Sequence, residues 1–222
     1  MESKFVFFTH KTQVRSMNLF NFENDYILEN EYAKLIPLKE SDFENLLEFS
    51  LNEPEIWQYS MVKANNPENL KKYIGLALDE KKKLSEYPFI IFDKTKQKFA
   101  GTSRYCDIHL NTNRLQMGYT WFGKDFQGTG INKHCKFLML EFAFEKMGME
   151  RVEFRAYTEN IRSINALKSI GCTIEGVIRS NAICPTGKRR DTMVLSILKD
   201  EWHNEVKEML RAKLPKVALE LI

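Results

Sequence analysis

The chain has 222 residues, a length that one folded domain fills without disulfide or metal staples. With 43% hydrophobic and 28% charged residues it is neither disordered nor low-complexity. Its 33 basic and 30 acidic side chains leave a net charge of +3, too balanced for a dedicated nucleic-acid or polybasic membrane binder, so no nucleic-acid and no membrane partner is expected.

Residues 1–30 show no clear periodicity, and Met17 is a candidate alternative start. A first strand is read over 32–38. Ser41 followed by Glu44 has the form of a capping box, which predicts a helix from Ser41 to about residue 51. Asn66-Pro67 marks a second helix start, because proline at the first helical position gives up only an N–H that has no partner; this helix runs to about residue 83. Three strands follow at 88–93, 98–107 and 114–122, separated by polar turns, an antiparallel meander. Ile131, Cys135, Leu138 and Phe142 repeat at helical spacing over 131–147, with Gly148 as the stop. A strand at 151–157, a helix at 161–170 ended by Gly171, strands at 172–179 and 191–198, and a helix over 201–213 complete the chain. The order implies an α/β mixed sheet with helices on both faces.

Cys106, Cys135, Cys172 and Cys184 form no CxxC pair and the four histidines form no HExxH pair, so no metal is expected. Phe5-Val6-Phe7-Phe8 is too short for the apolar core of a signal peptide, and 137–144 is too short to span a bilayer. A reduced, cytoplasmic location is expected.

The chemistry centres on residues 121–132, Trp-Phe-Gly-Lys-Asp-Phe-Gln-Gly-Thr-Gly-Ile-Asn, where a strand hands over to a helix. Glycines there permit close backbone approach, and the helix N-terminus offers unpaired N–H groups to an anion. Gly123 and Gly128 have Walker A spacing, but Thr129 stands where its lysine belongs. Gly128 and Gly130 begin a dinucleotide fingerprint, but Lys133 takes the place of the third glycine.

Gln127-Gly128-Thr129-Gly130-Ile131-Asn132 resembles the Q/R-x-x-G-x-G/A loop of the GNAT N-acetyltransferases, departing where Asn132 replaces a small residue. Asn160-x-x-Ser163 followed by Ser169-Ile-Gly171-Cys172 resembles a second signature of that family. Glu175-Gly-Val-Ile-Arg with Arg190-Asp191 is similar to its RimJ/RimL-like branch. The resemblance covers about 32–202 and implies the acyl-CoA N-acyltransferase fold, a mostly antiparallel central sheet with helices on both faces. It divides the chain into an N-terminal extension (1–30), a transferase domain (31–200), and a C-terminal helix and tail (201–222).

The resemblance further implies an enzyme that transfers acetyl from acetyl-CoA to a primary amine, of a protein N-terminus or a small molecule, by direct attack in a ternary complex. Coenzyme A would be held by Gln127, Gly128, Thr129, Gly130, Ile131 and Asn132, by main-chain groups of Tyr119, Thr120, Trp121 and Phe122, and by Asn160. Ser163 would also meet coenzyme A, as the hydrogen-bond partner of the thiol sulfur; many family members instead carry a tyrosine acid where this chain has Leu167. Gln116 replaces the branch's usual glutamate base and would position substrate or water, with Glu153, Asp107 or His109 acting at a distance. Trp57, Tyr59 and His109 are candidates for the acceptor pocket, and a homodimer is an expectation from the branch. Gln116 and Leu167 also motivate an alternative, a non-catalytic acyl-CoA sensor on the same fold. A third reading, an interaction scaffold, conflicts with Gly128 and Gly130, because a scaffold has no need of a phosphate cradle.

Overall fold

The computed structural model describes residues 20–184 and 187–215; the apolar run 5–8, His10 and Met17 lie outside the described residues. Eight strands form one sheet in the order β1-β2-β3-β4-β5-β6-β8-β7. They are β1 (Leu28–Glu29), β2 (Ala33–Pro37), β3 (Tyr87–Asp93), β4 (Lys98–His109), β5 (Arg114–Phe122), β6 (Arg151–Tyr157), β7 (Thr173–Ile183) and β8 (Arg189–Leu198). All neighbours are antiparallel except β5 and β6, which are parallel. This is a mixed sheet of the α/β class, as the order of elements implied.

The helices are α1 (Phe43–Asn52), α2 (Pro67–Lys82), α3 (Ile131–Glu141) and α4 (Ile161–Ser169). A last helix combines Lys199–Glu201, a π segment Trp202–Val206 and Lys207–Ala212. Adjacent residues of β4 show how they are layered, since successive side chains leave a strand on opposite faces. Arg104 lies over the Tyr73 ring of α2, whereas the Tyr105 hydroxyl donates to the Met139 carbonyl of α3. Helices α1 and α2 therefore cover one face, and α3 covers the other. The last helix packs on α3 through Trp202, and on the end of α4 through Val206 and Met209 beside Gly171. With both faces covered, β3 reads as an unbroken apolar run rather than an alternation, and all but one of its residues are buried.

The start of α1 differs from the sequence reading. Ser41 does not cap it; a 3-10 turn, Glu40–Asp42, comes first, and the Asp42 carboxylate accepts from the Lys39 amide at 2.8 Å. The carboxylate one residue beyond Ser41 reaches back to this amide, which shifts the box by two positions. Asn66 does cap α2, its side chain accepting from the Asn69 amide at 2.8 Å. Asn66→Ala is expected to cost about 1 kcal/mol, read as a lower urea midpoint. The aperiodic stretch before residue 30 contributes Phe20, Phe22 and Leu28 to the core and pairs β1 onto β2. Among the described residues, no helix is long and apolar enough to cross a membrane.

Candidate active site

Two local features shape the site, a strand pair that parts and a strand that bulges. β5 and β6 pair only from Arg114↔Arg151 to Gln116↔Glu153, and beyond these residues they diverge. In β5 the register against β4 shifts between Arg104↔Gly118 and Thr102↔Trp121, so Ser103 faces both Tyr119 and Thr120. Tyr119 takes a positive φ of 51° at this bulge. Its carbonyl accepts from the Tyr73 hydroxyl at 3.3 Å, and the Arg104 guanidinium lies 3.9 Å from its ring centre. Arg104 itself pairs with Glu86 at 2.7 Å, both buried; burial pushes the Glu86 carboxyl up, with Arg104 pulling the other way.

The extra residue changes the parity of the strand. Gln116 and Gly118 share the α1–α2 face with Cys106, but Thr120 turns to the α3 face and Trp121 back to the first. Thr120 Oγ1 meets Ser103 Oγ at 2.7 Å and accepts from Lys136 Nζ of α3 at 2.8 Å. Trp121 packs edge-on against Trp57, with ring centres 4.9 Å apart, and against Phe49 of α1.

Beyond β5 the chain makes a 3-10 turn, Lys124–Phe126, whose Phe126 packs on Phe49. Phe49 also fills the space where a Gly123 Cβ would stand. This aromatic cluster holds the base of the glycine loop. Gln127 Nε2 donates to the Phe122 carbonyl at 2.8 Å, and Thr129 Oγ1 donates to the Phe126 carbonyl at 2.8 Å. Gly128 and Gly130 are left-handed, with φ of 79° and 95°, and Gly130 is the N-cap of α3; the neighbouring Thr129 Oγ1 lies 3.4 Å from the Ile131 amide and accepts from it. The helix thus presents its first amides and the positive end of its dipole at an exposed loop, an arrangement that suits an anion. From the far end of the chain, Pro215 packs on Gly130, and its carbonyl lies 3.0 Å from His134 Nε2.

Asn160 caps α4 by accepting from the Ser163 amide at 3.1 Å, and Leu167 is buried. Tyr59 contacts Tyr157 of β6, and Arg190 donates to the Tyr59 carbonyl at 3.1 Å. The fold thus joins the loop, Tyr119 to Phe122, and Trp57, and it sets Tyr59 beside Tyr157. His109 stands apart at the closed end of the β4–β5 hairpin, 2.7 Å from Asp107. Burial pushes the Asp107 carboxyl up, but hydrogen bonds from His109 and Arg114 hold it below its ordinary value. Glu153 is likewise committed, to Arg151 at 2.9 Å and Arg155 at 2.7 Å. Of the groups considered as remote bases, Asp107 and Glu153 are therefore ion-paired to arginines, and His109 is hydrogen-bonded to Asp107.

Sequence reasoning missed Lys136. Its signal is the apolar run around it, Cys135 and Phe137 to Leu140, all buried because the helix lies between the sheet and the last helix, which leaves Lys136 itself only 5% exposed. Burial pulls its ammonium down to about 8. The folded chain then releases this proton at a lower pH than the unfolded chain, whose lysines titrate near ~10.4, so Lys136 destabilises the fold below about pH 8 and less so as pH rises. Urea unfolding should show Lys136→Met more stable than wild type at neutral pH, with the gap narrowing by about 1–2 kcal/mol near pH ~9.5.

Three comparisons bear on this geometry. The family model described as "Acetyltransferase (GNAT) domain" matches residues 34–173. "Probable N-acetyltransferase YjcK" of Bacillus subtilis (strain 168) is 29% identical over 177 residues, 78% of this chain and 97% of that protein. Among solved structures, a GCN5-related N-acetyltransferase from Brucella melitensis superposes with a TM-score of 0.80 at 22% identity, covering 88% of each chain. RimL, a ribosomal L7/L12 alpha-N-protein acetyltransferase in complex with coenzyme A, shares the fold with a TM-score of 0.69 at 18% identity, over 79% of this chain and 99% of that one.

Proposed function

This chain belongs to the GNAT acetyltransferase family, and from that premise we propose that it acetylates a primary amine, of a peptide N-terminus or a small molecule, by direct attack in a ternary complex. The family's enzymes are N-acetyltransferases that use acetyl-CoA. The observation that carries the reading is the junction of a left-handed glycine loop, a helix N-terminus headed by glycine and a strand pair that parts after Gln116 and Glu153.

Those residues fit coenzyme A. A Cβ on Gly128 would meet nothing within 4 Å, so the loop backbone is open to approach from outside. The amides of Gly128, Thr129, Gly130 and Asn132 suit a diphosphate, while those of Gln127 and Ile131 donate to the Lys124 carbonyl and to Thr129 Oγ1; the main chain of Tyr119 to Phe122, on the β5 edge that leaves β6, suits the amide-bearing pantetheine arm. Asn160 uses its oxygen as a cap, which leaves its amide nitrogen to donate to the ligand. Ser163, at the first turn of α4, would offer its hydroxyl to the sulfur. Bound acetyl-CoA supplies an activated acyl thioester. Gln116 orients the amine or a water on the α1–α2 face. Tyr59 lines the acceptor side, Trp57 backs it through Trp121, and His109 would meet only the distal part of a long acceptor.

With Glu153 and Asp107 paired to arginines, the reaction draws on the neutral fraction of the amine. The rate should therefore rise with pH up to the acceptor's own pKa, near ~7.7–8.0 for a peptide N-terminus and near ~10.4 for an alkylamine. A thiol-release assay with acetyl-CoA and a panel of peptides and small amines tests the activity. Coenzyme A binding without turnover on any amine would favour the sensor reading prompted by Gln116 and Leu167. Absence of binding would sink both.

A further inference from the structure

A buried ammonium without a carboxylate partner weakens a fold, and such groups concentrate where they perform chemistry. Lys136 is buried, and its hydrogen bond goes to a neutral hydroxyl, Thr120 Oγ1 at 2.8 Å. Thr120 directly follows the Tyr119 bulge on β5. On the other side, Lys136 Nζ lies 5.6 Å from the ring centre of Phe154 on β6. The ammonium therefore sits between the two strands just past Gln116 and Glu153, where their pairing ends. The titratable groups acting on it are thiols: Cys135 on its own helix, Cys172 after α4, and Cys106 on β4. Burial pushes all three up to about 12, so they stay neutral.

A second observation points the same way. One turn earlier on α3, the Asn132 Oδ1 is buried with no hydrogen-bond partner among the described residues. From the glycine loop to the parting of the strands, α3 thus carries an unsatisfied acceptor and then a cation at i, i+4 spacing, on one side of the helix.

Resting on the acetyl-CoA reading above, we propose that the Lys136 ammonium faces the sulfur of coenzyme A and protonates it as the thiolate departs. The acceptor nitrogen bonds to the acetyl carbon, and the carbon–sulfur bond breaks with its electron pair on sulfur. One Nζ proton moves to that sulfur, which leaves a neutral amine on Lys136. The surplus proton of the new amide passes to water, and Lys136 regains its own from solvent entering the gap between β5 and β6 once coenzyme A leaves. Leu167 holds no proton to give, and a serine hydroxyl at Ser163 is a far weaker acid than an ammonium. With Lys136 near 8, the transfer to a thiolate whose ordinary pKa is about 8.5 is nearly balanced.

The test uses Lys136→Met, which keeps the side-chain volume, and Lys136→Gln as a second variant. Coenzyme A is bound to each protein, and its thiol is titrated by ultraviolet thiolate absorbance. The bound thiol in wild type should titrate about one unit lower than in either variant, a tenfold difference in thiolate at a given pH. Turnover with acetyl-CoA should fall about 100-fold in the variants, with the affinity for coenzyme A within about threefold of wild type. Identical thiol titrations in wild type and variants would overturn the proposal and leave the acetyltransferase reading standing. Failure of wild type to bind coenzyme A would overturn both.

Discussion

Gly130→Val raises the KM for acetyl-CoA and the Kd for coenzyme A by about 100-fold, from two separable causes. The first is conformational. Gly130 sits at φ 95°, and a β-branched residue in the left-handed region costs about 1–2 kcal/mol. The second is steric. A Cβ there would lie 2.3 Å from Pro215 Cγ, so the loop or the incoming chain end must move, and with it the direction of the α3 amides. Together they come to about 3 kcal/mol, or two factors of ten. Gly128→Ala isolates the first cause, since φ is 79° but no atom lies within 4 Å of the added Cβ; about tenfold is expected. Titration calorimetry with coenzyme A reads both variants. Equal affinity in wild type and Gly130→Val would show that the loop does not bind the ligand.

The second large effect concerns stability. Trp202→Ala is expected to cost about 3–5 kcal/mol, measured by urea unfolding. The indole is fully buried, stacks on Phe144 at 5.6 Å, contacts Phe137 at 5.8 Å, and donates its Nε1–H to Glu145 Oε1 at 3.0 Å. Alanine would leave a cavity between α3 and the last helix, and would take one donor from a carboxylate that keeps Lys207. A loss below about 1 kcal/mol would mean that the last helix is not anchored through this residue. The same helix leads the chain to Pro215, so its docking also supports the glycine loop.

Much of the frame was legible from local chemistry. Asn66-Pro67 announces α2 because both residues act within the first turn. Arg151 to Tyr157 reads as a strand with the bounds it has, since its buried positions alternate from Arg151 to Ala156. The glycine loop is legible because positive φ leaves few residue choices. Less legible were features that depend on partners distant in sequence. β1 is two residues long and exists only through β2. The π segments Phe142–Lys146, which follows α3, and Trp202–Val206 leave no periodic mark strong enough to separate them from ordinary helix. The cap of α1 moved from Ser41 because a 3-10 turn precedes the helix and the Asp42 carboxylate takes the Lys39 amide, two residues upstream of the expected box.

The candidate site divides along the same line. By itself the sequence determined the order of elements from β2 onward, the glycine loop at the head of α3, and the start of α4 after Asn160, because each is set by neighbours a few residues away. Only the tertiary structure decided which side chains share a face of the site. One extra residue at Tyr119 reverses the parity of β5, sending Thr120 toward Lys136 and Trp121 toward Trp57. A bulge of that kind is fixed by the register against β4 and by the Tyr73 hydroxyl on its carbonyl. Likewise, the depth at which Lys136 is buried follows from the sheet on one side of α3 and the last helix on the other, contacts made by residues distant in sequence.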